Sequence, residues 1–112
     1  MKRLPVLFYR RHSGVEPVRV WLKSLPVADR RILGEDIATV EYGWPVGMPL
    51  YRPLGGGLWE VRSDLTQNRI GRIIFCVVQG HMVLLHAFIK KSPKTPATAL
   101  VTARKRQKEV EQ

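Results

Sequence analysis

The sequence predicts an α+β domain of order β-α-α-β-β-β-α, an antiparallel sheet with its helices packed on one face. Two observations carry that reading. Apolar residues recur at helical spacing in the first third of the chain, and β-rich runs follow a stretch crowded with Gly and Pro. Strands clustered after a helical pair suggest an antiparallel sheet covered by helices. A length of 112 residues suits one core, so a single domain over 1–112 is expected.

Val6 to Arg10 is short, β-rich and bounded by Pro5, and reads as the first strand. Ser13 with Glu16 three residues later matches a capping box, and Pro17 suits a first helical turn. Val18, Trp21, Leu22 and Leu25 follow at helical spacing until Pro26 breaks the run. A second helix is expected from Val27 to Tyr42, with Ile32, Leu33, Ile37 and Val40 as its stripe and Gly43 as terminator. Residues 43 to 57 read as loop, because Gly43, Pro45, Gly47, Pro49, Pro53 and Gly55-Gly56-Gly57 punctuate them. Strands are then expected at Leu58–Ser63, Ile70–Val78 and Met82–Lys90, the last two joined by a hairpin at Gln79-Gly80-His81. Both hairpin strands are apolar on both faces, which makes them central. Thr95 and Pro96 read as N-cap and first residue of a last helix, apolar at Ala97, Leu100, Val101 and Ala103 and basic from Arg104 onward.

Charge narrows the function. Nineteen Lys and Arg against nine Asp and Glu give a net charge of +10, which favours a polyanionic partner. From Leu65 to Lys108 there is no acidic residue, while Arg69, Arg72, Lys90, Lys91, Lys94, Arg104, Lys105, Arg106 and Lys108 all fall there. A solvated face usually mixes signs, so this stretch suggests a phosphate-facing surface. No run approaches the roughly 20 apolar residues of a membrane span, and the short apolar stretch after Met1-Lys2-Arg3 is no signal peptide. A cytoplasmic location and no membrane partner are therefore expected.

Cys76 is the only cysteine, so neither an internal disulfide nor a cysteine-built metal site is expected, and its apolar strand predicts a buried thiol. The triple glycine leads into Leu58-Trp59 rather than a Lys-Ser/Thr helix start, so it reads as a turn and not a phosphate loop. His81 and His86 lie five apart on one strand and face opposite ways, which argues against a metal pair. His86 remains a candidate general acid or base, against the plainer reading of a partly buried, hydrogen-bonded histidine. Glu60 and Asp64 share a face but stand roughly 13 Å apart, too far to cooperate, and one of them is expected to pair with an Arg. Arg62 shares the face of Leu58 and Glu60. A three-residue turn at 79–81 would place Arg72 opposite Phe88, on the face of His86 and Lys90. A two-residue turn would place it on the face of Lys91. In both registers, cations from two strands converge at one end of the sheet.

Three segments resemble the HigB-type branch of the RelE/ParE toxin superfamily, a branch that includes phage-derived proteins. They are Tyr51-Arg52-Pro53-Leu54-Gly55-Gly56-Gly57-Leu58-Trp59-Glu60-Val61-Arg62, Arg72-Ile73-Ile74-Phe75, and Leu84-Leu85-His86-Ala87-Phe88-Ile89-Lys90-Lys91-Ser92-Pro93-Lys94-Thr95-Pro96. The resemblance implies the toxin of a type II toxin–antitoxin system: a metal-independent, ribosome-dependent mRNA endoribonuclease. Its partners would be mRNA on the ribosome and a cognate antitoxin, expected to be a helix-turn-helix protein, with no small-molecule cofactor. Carried onto this chain, it implies Arg62, Arg72, Lys90 and Lys91 as catalytic candidates. Lys94, His86, Arg69, Arg104 and Lys105 are the candidate RNA contacts. RelE itself is similar in carrying a catalytic Tyr near its C-terminus, whereas Tyr9, Tyr42 and Tyr51 here all precede the later strands.

The chemistry such an enzyme needs is a deprotonated 2′-hydroxyl, a stabilised pentavalent phosphate and a protonated 5′-oxygen. Arg62 and Arg72 suit the phosphate, because a guanidinium grips two oxygens and keeps its charge. Lys90 or Lys91 suits proton transfer if neighbouring cations lower its pKa from about 10.4. Two other functions fit the same residues: a ParE-like poison of DNA gyrase, and a non-catalytic RNA-binding module acting through charge alone.

Overall fold

The computed structural model describes residues 1–45, 50–90 and 94–111. Its elements are β1 (Val6–Phe8), α1 (Pro17–Ser24), α2 (Val27–Gly43), β2 (Tyr51–Gly55), β3 (Leu58–Asp64), β4 (Ile70–Val78), β5 (His81–Lys90) and α3 (Ala97–Val110). The strands form one sheet in the order β1-β5-β4-β3-β2. From β2 to β5 it is an antiparallel meander. At the other edge β1 runs parallel to β5, with Val6 opposite Met82.

The fold is α+β with a mostly antiparallel sheet, and it differs from expectation in two respects. Part of the stretch read as loop is the edge strand β2, which tolerates Pro53 because an edge has spare donors. Gly56 and Gly57, both at positive φ, make the turn from β2 into β3. The helices do not share a face. Ile73 and Phe75 of β4 pack in a cluster with Leu33, Ile37 and Val40 of α2, whereas Ile74 and Cys76 pack with Ala99 and Ala103 of α3. An unbroken apolar strand needs cover on both sides, and successive side chains alternate between them.

Smaller differences follow from the helix ends. Glu16 is the N-cap position of α1 and makes no side-chain cap, so Ser13 and Glu16 form no capping box. Glu16 instead pairs with Arg10 and Arg19. On α3 the N-cap position is Pro96 rather than Thr95. Val101, expected in the core, is 68% exposed, and Gln107 is buried in its stead.

The β4–β5 hairpin sets the site. Its turn has two residues, Gln79 and Gly80, both in the left-handed region that such turns require. Taken alone, that turn would place Arg72 opposite Ala87. A bulge shifts the register by one: Phe75 pairs with Leu84 and Ile74 with His86, leaving Leu85 extra. Beyond it Arg72 faces Phe88. The outcome is the register of the longer turn, reached by a short turn and a bulge.

Candidate functional site

Strand register assembles three rows on the α3 side of the sheet. The first is Arg52, Glu60, Ile74 and His86; the second is Arg62, Arg72 and Phe88; the third is Asp64, Ile70 and Lys90. Rows of one face repeat at about 6.6 Å along a strand, and neighbouring strands lie about 4.8 Å apart. Arg62 is exposed, while His86, Phe88 and Lys90 are partly exposed.

Beneath them lies a buried ionic network. Glu60 Oε1 accepts from Arg72 Nη1 at 3.0 Å and from Arg52 Nε at 3.1 Å, and Oε2 accepts from Thr95 Oγ1 at 2.7 Å. Arg52 Nη2 in turn donates to Thr95 Oγ1 at 3.2 Å. Glu60 and Arg72 are both fully buried. Burial lowers the Arg72 pKa, Glu60 opposes that, and the charges of Arg52 and Arg62 add to the lowering. A guanidinium still keeps its proton at neutral pH. Two guanidinium groups against one carboxylate leave one positive charge under the face, and Thr95 ties the start of α3 to it.

Arg62 and Lys90 therefore stand where expected, on one face with His86. Arg72 is on that face but below the surface, held by Glu60 rather than offered to a phosphate. Lys91 lies outside the described residues, and Lys94 is exposed just before α3. Arg69 is elsewhere: it forms two 2.9 Å hydrogen bonds to Asp29 at the start of α2, which also raise its pKa. A buried carboxylate thus occupies the fork of Arg69, which had been a candidate RNA contact. Arg104 and Lys105 part company on α3. Arg104 lies over the turn at Gly56, and Lys105 lines a cleft beside Tyr9.

His86 is half-buried, and its ring lies 5.8 Å from that of Phe88. Burial, then the charge of Arg106, lowers its pKa from 6.5. Both effects favour the neutral imidazole, the form in which one ring nitrogen can accept a proton. The bulge is what brings it here, since Leu85 and His86 break the alternation and the ring joins the face of Arg72.

Sequence reasoning placed neither Arg52 nor Tyr9 in a site, and it read Thr95 only as a helix cap and Arg106 only as one of a run of cations. Arg52 was hidden because its strand read as loop. Arg106 Nη1 donates to the Leu85 carbonyl at 2.8 Å, and its guanidinium lies 5.1 Å from the centre of the Tyr9 ring. The helical spacing from Ala99 and Ala103 to 106 and 107 was the available signal.

Fold and site define a small basic α+β protein with a cationic sheet face. Residues 20–108 match the model of the phage-derived protein Gp49-like family (DUF891), and the chain belongs to that family. The family is associated with the toxins of toxin–antitoxin systems. No curated protein matches the chain. Among the described residues, no helix is long and apolar enough to cross a membrane.

Proposed function

We propose that this chain is the toxin of a type II toxin–antitoxin pair, neutralised by a cognate antitoxin, and that it cleaves mRNA on the ribosome. The observation that carries this reading is the face built by β3, β4 and β5, where the half-buried ring of His86 and the cations Arg62 and Lys90 stand on one side of the sheet above the buried Glu60–Arg72 pair. Family membership supports the toxin and its antitoxin; the cationic face supports RNA as the target.

In this reading neutral His86 takes the proton of a ribose 2′-hydroxyl. The freed oxygen attacks the adjacent phosphorus, and Arg62 stabilises the charge that develops on the phosphate oxygens. The bond to the 5′-oxygen breaks and that oxygen takes its proton from solvent, while Lys90, four residues from His86 along β5, holds a flanking phosphate. The products are a 2′,3′-cyclic phosphate and a 5′-hydroxyl end; the imidazolium then releases its proton to solvent. Arg72 is a positioning residue that sets the floor under Arg62 and Phe88.

The test is 5′-end mapping of cellular RNA after brief induction, with His86→Ala and Lys90→Ala beside the parent. Expected are new 5′-hydroxyl ends inside translated codons, lost when translation is blocked and lost in both variants. Growth arrest without new RNA ends would overturn the nuclease reading in favour of a gyrase poison. New ends that persist in both variants would remove these two residues from the chemistry.

A further inference from the structure

Away from the candidate face, α3 and the chain leaving β1 enclose a cleft of about 730 Å³. Tyr9, Arg11, His12, Lys105, Arg106 and Glu109 line it. Its floor is fixed by packing: Arg106 is bound to the Leu85 carbonyl and laid over Tyr9, whose hydroxyl donates to Glu109 Oε2 at 2.9 Å. The carboxylate of the lining is thereby engaged, while three cations surround the space. Arg106 feels the charge of Arg11 and is held below its ordinary pKa by burial first and Arg11 second. An anion placed between them relieves that repulsion.

The cleft also has a direction. Tyr9 N donates to the Leu84 carbonyl at 3.0 Å, so the cleft adjoins β5 at residues 84 and 85. Lys90 lies five residues further along that strand, about 16 Å away at a rise of about 3.3 Å per residue. His86 sits between and feels the charge of Arg106.

We propose that this cleft holds backbone phosphate of the RNA strand whose scissile step lies at His86, with Arg11 and Lys105 as its phosphate contacts. The proposal rests on the RNA reading of the neighbouring face. Charge complementarity suits any polyanion, and continuity along β5 with the face of His86 favours a polynucleotide over an acidic protein.

The probe is a labelled single-stranded 2′-O-methyl oligouridylate, which binds as RNA but offers no 2′-hydroxyl to cut. Its affinity is followed by fluorescence anisotropy across a salt series for the parent chain, Arg11→Ala/Lys105→Ala and Arg30→Ala/Arg31→Ala. The last pair removes equal charge from exposed positions on α2, across the sheet. Loss of two phosphate contacts lowers the slope of log K against log salt by about 1.4, at ~0.7 per phosphate on a single strand. That change is expected for the cleft pair alone. Equal changes for both pairs would show diffuse charge binding and overturn the proposal. No change for the cleft pair, with tight binding of purified antitoxin abolished by it, would assign the cleft to an acidic protein and also overturn it. Intact cleft-dependent binding without cellular cuts would instead reject the nuclease reading and leave this site standing.

Discussion

Arg72 and Glu60 meet at 3.0 Å with neither side chain exposed to solvent, in a pair that also fastens the start of α3 through Thr95. Two charges taken out of water need each other far more than a surface pair does. Arg72→Ala is therefore expected to destabilise the fold by about 3–5 kcal/mol, the usual cost of stripping one partner from a buried pair. Urea unfolding measures it. A variant of unchanged stability that has lost RNA cleavage would instead make Arg72 a catalytic residue.

His86 has two pH signatures. As a general base it must be unprotonated, so cleavage is expected to rise with pH and level off below 6.5, the ordinary value from which burial lowers its pKa. His86→Gln should reduce the rate by about 10²–10⁴-fold. Stability shifts in the same direction. Between the lowered folded pKa and 6.5 the unfolded chain binds more protons, so stability falls as pH drops through that window and is complete above it. Denaturant midpoints for His86→Gln should lose this component of the slope.

Arg69 separates structural charge from RNA contact. Arg69→Ala strands Asp29, which is 1% exposed and sits in the first turn of α2. The melting temperature is expected to fall by more than in Arg30→Ala, with RNA affinity reduced no more than by any single surface cation. Arg69→Lys should recover little of the melting temperature, because an ammonium cannot make the paired contacts. A larger loss of RNA affinity than of stability would place Arg69 in the interface.

Cys76 is a probe of folding. Burial, followed by the charge of Glu111, pushes its thiol up to about 11. At pH 8 the thiolate is on the order of one part in a thousand, and the sulfur is enclosed. Ellman's reagent should react only as the chain unfolds; rapid labelling of native protein would contradict the packing of α3 on β4.

Both central strands were legible, because an unbroken run such as Ile73-Ile74-Phe75-Cys76 has few other uses. The same run carried the clue that helices cover both faces, since Ile74 and Cys76 require a partner as much as Ile73 and Phe75 do. Cations from two strands at one end of the sheet were legible in either register; that Lys90 and His86 join the face of Arg62 was not, because it depends on the bulge. The fate of Arg72 and Arg69 was not, because a sequence shows charges and not which carboxylate lies in reach. One of Glu60 and Asp64 was expected to pair with an arginine, but the depth of Glu60 depends on Thr95 arriving just ahead of α3. The bulge at Leu85 was invisible as well; it changes the count along a strand without altering its composition.

The edge strand β1 adds a consequence in the order of assembly. Four strands of the sheet pair with neighbours close in sequence, so β2 to β5 can form by closing short loops. β1 cannot, since Val6 meets Met82 across 76 positions and Tyr9 reaches Glu109 across 100. Long-range contacts of this kind form late, because the loop must close before any contact rewards it. The segment leaving β1, which walls the cleft, and the helix that roofs it therefore come together late. During synthesis the basic groove is completed only when the last turn of α3 is available, and a chain stalled short of it carries the cations without the surface that arranges them.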